Sequence, residues 1–387
     1  MPNEMLDESA ERGAAAGGTL RPERIRAAQQ RMRQAGIDAY MILTHDDYIY
    51  FFGEDRFQPR AILPAQGPPI VIAFRGEEEE IKATLGLSKV RVFGTVGQQI
   101  KDVVESMREM FAAKPNPVVG VQMWFATPAF LLTMFQKANP KLQVVDIAPV
   151  MDELRMVKDP EEIGLMSKAG AIAATGMEVA VRTLRPGVTE NEVAAEAEYA
   201  MRKAGGSGTA TPIFVNSGVR SAWLHGCATD RKIQEGDLVV VDLVPVYRGY
   251  CANLCRTFVM GAPSETQKKL FATYKSAQQA GIAALQIGAR MTDIDAAARA
   301  AFQAAGYDDF FVPGISHSIG LSFEEAPAPT IRPQHAAFPL RENMTVTVGH
   351  SVLSVPGVGG VRLEDTFHVT SNQPRPLTSF PAEFAIF

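Results

Sequence analysis

Residues 238–261, LVVVDLVPVYRGYCANLCRTFVMG, read as two apolar strands around a turn near Tyr247–Tyr250, and the first strand carries a single acid, Asp242. A carboxylate in such a strand is costly to bury alone, so the fold must bring it a partner. Eleven positions on, across the turn, stands an amide, Asn253. Two side chains so placed on a hairpin can converge on one point. This constrains the fold more than composition does, because other elements must close over the hairpin with polar groups of their own.

Away from this hairpin the chain has two characters. From Leu20 to about residue 150, the strands DAYMILT, RAILPA, PPIVIAF, VRVFG, PVVGVQMW and LQVVDIA alternate with helical stretches such as QQIKDVVESMREMFAA and ATPAFLLTMFQKAN. That alternation indicates a layered α/β unit. From residue 151 a long helix follows, introduced by Asp159-Pro160 with Glu161 and Glu162 in its first turn, and then a second helix capped by Thr189 and stopped by Gly205-Gly206. Beyond Thr209 strands dominate, interrupted by two more helices. The 387 residues thus divide into an α/β domain, 20–150, and a second domain, 151–387. Residues 1–19, acidic and rich in Ala and Gly, read as a flexible tail. The acidic run at 77–80 reads as a solvated helix start.

A formal charge of −5 gives no global basic field, which argues against nucleic acid or an anionic membrane as the main partner. No apolar run approaches the roughly 20 residues that a bilayer span needs. The N-terminus lacks the basic-then-apolar order of a signal peptide, so the chain reads as cytoplasmic. Cys227, Cys251 and Cys255 lack paired zinc spacing and read as reduced thiols. No Gly-rich loop separates a strand from a helix start, so nucleotide binding is not expected.

Taken in order, VVVD, GYCANLCRT, PGISHSIGL, FEEAP, ENMTVTVGH and GGVRLED resemble the creatinase, prolidase and aminopeptidase P superfamily. The resemblance covers residues from about 155 to 375 and, more weakly, the α/β unit before them. It implies an α+β chain: a pita-bread catalytic domain preceded by a smaller creatinase-like α/β domain, usually in a homodimer. It also implies that Asp242, Asn253, His317 and Glu364 stand at metal-ligand positions, with Asn253 where metal enzymes of the family carry an aspartate. A further ligand position, a glutamate in the family, falls on Gly349 or on His350, depending on the end from which the strand is counted. A β-bulge would account for that discrepancy and re-aim His350.

Asp242 and Glu364 alone supply two negative charges, enough for one divalent ion, and a second ion would bring uncompensated charge into a buried site. Asp242, His317, His350 and Glu364, with a neutral oxygen from Asn253, suit a single Mn, Fe or Zn ion. The residues leave open whether that ion or none is bound. By the same resemblance His225 in AWLHGC lines the substrate pocket and is the general base of metal-free relatives. Its ordinary pKa suits that work. Glu324 stands where the family has a histidine that assists catalysis, and His317, His225 and Glu324 are the catalytic candidates. Arg362, Arg60 and Arg56 are the substrate-binding candidates, while His45, His335 and His368 read as structural. Three functions fit: an Xaa-Pro peptidase-like metallohydrolase acting on small peptides, a metal-free creatinase-like hydrolase of a small C–N substrate, or a non-catalytic peptide-binding protein.

Overall fold

The structure is a computed structural model in which residues 20–56, 60–87, 90–123 and 127–384 are described; the expected tail, 1–19, lies outside them. The chain divides into two compact units, one through Leu154 and one from Arg155. The residue 150/151 boundary falls inside a helix, Ala148–Arg155, which continues across it.

The first unit is built on a six-stranded sheet in the order Val90–Phe93, Ile70–Phe74, Ala61–Pro64, Ala39–Ile42, Val118–Val121, Gln143–Asp146. Ala61–Pro64 runs antiparallel to both neighbours, and the other pairings are parallel. Helices Glu78–Leu85, Val96–Met110 and Ala129–Ala138 connect the successive strands from Ile70–Phe74 onward, and Met107 and Phe135 pack with Met41, Ile62 and Val121 in the core. One helix, His45–Phe52, has no counterpart in the sequence reading. Thr44 caps it by accepting from the Asp47 N–H, and Gly53 ends it at φ +70°.

The second unit pairs two helix hairpins with two of the sheets among its described residues. Helices Pro160–Thr183 and Glu190–Lys203, begun by the Asp159/Glu162 and Thr189/Glu192 capping boxes, cover the sheet Leu254–Val259, Leu238–Leu243, Phe214–Ser217. Met177, Val193 and Met201 meet Val239, Val241 and Leu254 there. Helices Glu265–Ala284 and Met291–Ala304 cover the sheet Ser316–Ser318, Thr345–Val348, Asp365–His368, Arg375–Pro376, with Tyr274, Ile294 and Phe302 against Val346, Val348 and Phe367. The two sheets join where Cys255 and Glu364 exchange backbone hydrogen bonds of 3.0 Å. That seam brings the hairpin acid to the polar residues of the other sheet. Among the described residues, no helix is long and apolar enough to cross a membrane.

Candidate active site

Asp242 lies in the central strand of the first sheet, opposite Cys255 on one side and Phe214 on the other, and is 1% exposed. Asn253 sits just before the next strand. Its N–H donates to Thr366 Oγ1 at 2.9 Å and its carbonyl accepts from the same hydroxyl at 3.1 Å, which fixes the amide. Asn253 Nδ2 then donates to Asp242 Oδ1 at 2.5 Å. An amide can do this where a second carboxylate would meet the first as acceptor against acceptor.

From the other sheet, His317 donates from Nδ1 to the Ser318 carbonyl at 3.1 Å. Its Nε2 is thereby left as a lone pair, 3.3 Å from Glu364 Oε1. Two acceptors facing each other in a buried space call for a cation between them, a proton or a metal ion. His350 completes this corner. The N–H groups of Gly349 and His350 both donate to the Ile315 carbonyl, at 2.7 and 2.9 Å, so two residues oppose one in a bulge. Gly349 has φ +120°, and a Cβ there would stand 1.7 Å from the Leu363 carbonyl oxygen. Only glycine fits, and the bulge places His350, not residue 349, in the site. The ligand atoms of His317, His350 and Glu364 lie within 4.8 Å of one another.

Arg362 joins the two edges. A substrate-binding candidate from the sequence, it is 2% exposed, and its guanidinium meets Asp242, Glu364, His350 and the Leu224 carbonyl. Nη1 stands 2.9 Å from Asp242 Oδ2 and donates to the Leu224 carbonyl at 3.3 Å. Nε and Nη2 donate to Glu364 Oε2 at 3.1 and 2.6 Å, and Nη2 also meets His350 Nδ1 at 2.9 Å. Residues 362 and 364 lie two apart in the stretch between strands Gly359–Val361 and Asp365–His368, so the pair forms within one segment. Two carboxylates and one guanidinium leave one excess negative charge before the imidazoles are counted.

These neighbours set the protonation states. Burial pushes the Asp242 carboxyl up, to about 6, against Arg362 and the Asn253 amide, which favour the ionised form. Burial also works to raise Glu364, but Arg362 and the two imidazoles outweigh it and hold the group well below the usual carboxylate range. Burial and then the Arg362 charge push His350 down to about 3, so it is neutral. For His317 the Glu364 carboxylate outweighs burial and raises the imidazole above its ordinary value.

At the rim, the His225 ring lies 5.7 Å from that of His350 and 6.0 Å from Phe214. Desolvation and Arg362 lower its pKa, leaving a neutral imidazole at physiological pH. Glu324 is partly exposed, with Oε1 3.8 Å from His350 Nε2. Its neighbour Glu325 turns the other way, onto Arg155 and Lys158, and is buried. Phe323 packs edge-on against His317 at 4.7 Å. Arg56 and Arg60 belong to the first unit, where Arg56 is held by Glu54 and Glu80 at 2.5 Å each.

Sequence reading missed Glu190, which is fully buried. It accepts from the N–H and hydroxyl of both Ser217 and Thr229 and from Arg220 Nε at 3.2 Å, pinning both ends of the loop that carries His225. Following the Thr189 cap, it reads as an ordinary first-turn acid, and nothing in the local pattern signals its burial.

The centre also offers unsatisfied acceptors. Asn253 Oδ1, His317 Nε2 and Glu364 Oε1 are all buried without a hydrogen-bond partner, and Asp242 Oδ2 has only its ion contact with Arg362. Buried acceptors left in this way are rare, and a bound cation is one of the few things that would satisfy several together. Two imidazoles with carboxylate oxygens form a donor set for a transition-metal ion, and the residues fit one.

The family model for metallopeptidase family M24 matches residues 164–371, and that for the creatinase/prolidase N-terminal domain matches residues 24–157. The chain belongs to metallopeptidase family M24, a family of hydrolases, and its second unit is the pita-bread domain of that family. The Xaa-Pro dipeptidase of Pyrococcus horikoshii is 34% identical over 364 residues, 93% of this chain and 98% of that protein. The uncharacterized peptidase YqhT of Bacillus subtilis is 30% identical over 91% of this chain and 97% of its own length. Among solved structures, an Xaa-Pro dipeptidase from Bacillus anthracis superposes with a TM-score of 0.84 at 27% identity, over 95% of this chain and 99% of that one.

Proposed function

We propose that this protein is a metal-dependent dipeptidase that hydrolyses the C–N bond of small Xaa-Pro peptides. The observation that carries the reading is the convergence of His317, His350 and Glu364 beside Asp242, with three buried acceptors left open, in a chain that matches named Xaa-Pro dipeptidases over nearly its whole length. His317, His350 and Glu364 would hold one Mn, Fe or Zn ion, with Asp242 and the Asn253 oxygen on its other flank. Such an ion supplies Lewis acidity toward a scissile carbonyl.

The chain's own groups account for the rest. Arg362 holds Asp242 and Glu364 ionised and oriented while contributing the positive charge that lets both be buried. Neutral His225, steadied by the Glu190 loop, moves a proton at the pocket mouth. Glu324 offers a carboxylate to the peptide ammonium, and Phe214 and Phe323 offer apolar faces to a proline ring. A homodimer and a cytoplasmic location go with this reading.

The test is elemental analysis of protein purified without affinity metals, combined with hydrolysis of Ala-Pro and Leu-Pro under Mn, Fe and Zn titration. About one ion per subunit, lost in His317→Ala together with turnover, is the expected result. Turnover that survives complete metal removal but disappears in His225→Ala would overturn metal dependence, and absence of Xaa-Pro hydrolysis with every ion would overturn the substrate.

A further inference from the structure

The first unit contains a cavity of about 330 Å³ that the peptidase reading leaves unused. Met41 and Leu43 line it at the carboxyl end of strand Ala39–Ile42, Gln99 lines it from helix Val96–Met110, and Phe130 and Met134 line it from helix Ala129–Ala138, with Arg60 completing the wall. Open α/β sheets take ligands beyond the carboxyl ends of their parallel strands, and Ala39–Ile42 runs parallel to Val118–Val121. The volume falls within the range of roughly 300–1,000 Å³ usual for small-molecule sites.

Three features point to a negative charge on the occupant. Gln99 is in the opening turn of its helix, and Pro128, the N-cap of the other helix, also lines the cavity, so the opening turns of two helices contribute to its wall, near the positive ends of their dipoles. The Gln99 side chain is 3% exposed, yet its Nε2 is buried without a hydrogen-bond partner. Arg60 is the sole charged group among the described lining residues, and none of them is acidic. The remaining wall is apolar, and at the rim Phe130 and Met134 stay 66% and 40% exposed.

We propose that this cavity binds a small monocarboxylate with an apolar or aromatic tail. Arg60 and the Gln99 amide take the carboxylate, while Met41, Phe130 and Met134 hold the tail. The site lies within the first unit and does not depend on the metal centre.

Calorimetric titration of the full-length protein with 3-phenylpropionate, and with 3-phenylpropanol as its uncharged counterpart, tests the proposal. Saturable binding of the acid is expected, with the alcohol about tenfold weaker or more, and a similar loss in Arg60→Gln and in Gln99→Leu. Met134→Trp, which fills the cavity, abolishes binding. Melting curves establish that each variant is folded, and a folded Gln99→Leu or Met134→Trp suffices if the others fail. Affinity unchanged in these variants, equal affinity for acid and alcohol, no binding at millimolar acid, or binding lost in His317→Ala would each overturn the assignment. So would sedimentation data in which Phe130→Ala separates a dimer while the acid fails to bind, since a second copy would then be what covers this face.

Discussion

The two ends of the Arg362 guanidinium face different chemistry. On one side Asp242 is held by a single amide donor and one charged contact, with Asn253 filling the place of a second acid. On the other, Glu364 receives two guanidinium bonds and faces two imidazoles. The first edge is close to neutral in its hydrogen bonding and tolerates an absent ion. The second leaves a histidine lone pair pointed at a carboxylate, so a proton has to stand there when no metal ion does. On the proposed reading, the contrast teaches that losing one acid from a metal site need not disarm it, provided the loss falls on the edge where an amide can satisfy the acid that remains.

The largest test of this contrast is to remove each acid in turn. Glu364→Ala strands Arg362 and is expected to cost about 3–5 kcal/mol in urea unfolding, as breaking a buried pair does, whereas Asp242→Ala leaves Arg362 its stronger partner and costs less. Equal losses would mean that the two edges are equivalent. Next comes Asn253→Asp. Without metal it sets two carboxylates against each other and lowers stability by about 1–3 kcal/mol, and added Mn restores the melting temperature by more than it raises that of the parent. A variant indifferent to Mn would show that the amide edge takes no part in ion binding.

A smaller effect follows from pH. In metal-free protein, unfolded His350 takes up a proton near 6.5 that the folded form refuses until about 3. The unfolded state therefore binds more protons in that window, so this group's contribution to stability falls as pH is lowered through it. Depressed Glu364 acts in the same direction at the acid end, while raised His317 opposes it. His350→Gln flattens the slope of unfolding free energy against pH, and an unchanged slope would show that the corner is not titrating as described. The smallest change is expected for Glu324→Gln, partly exposed at the rim: stability stays within about 0.5 kcal/mol, while KM for Ala-Pro rises severalfold at unchanged kcat.

Most of the fold is legible because its signals are local. Alternating strands and helices mark the first unit, and Asp159 and Thr189 announce their helices by the side chains that cap them. The helix His45–Phe52 carries its own signals, Thr44 before it and Gly53 after it, but its eight residues are too short for periodicity to stand out. The residues that converge in the candidate site were legible, but their wiring was not. Asp242, His317 and Glu364 stand in recognisable strings, yet what Arg362 does depends on which strands meet at the Cys255–Glu364 seam, which no local pattern encodes. Gly349 and His350 show the limit clearly: counting along the strand leaves two answers, and the choice rests on a close approach to the Leu363 carbonyl, a contact between strands rather than within one. Glu190 was hidden for the same reason, its partners lying 27 to 39 residues away.

Arg362 also has a consequence for the order of events in the cell. Because the charge that lets Asp242 and Glu364 be buried is part of the polypeptide, the domain can complete its folding before any ion arrives, and loading becomes a later, separate step. On the proposed reading, protein prepared without metal should then be intact and folded, and inactive until an ion is added.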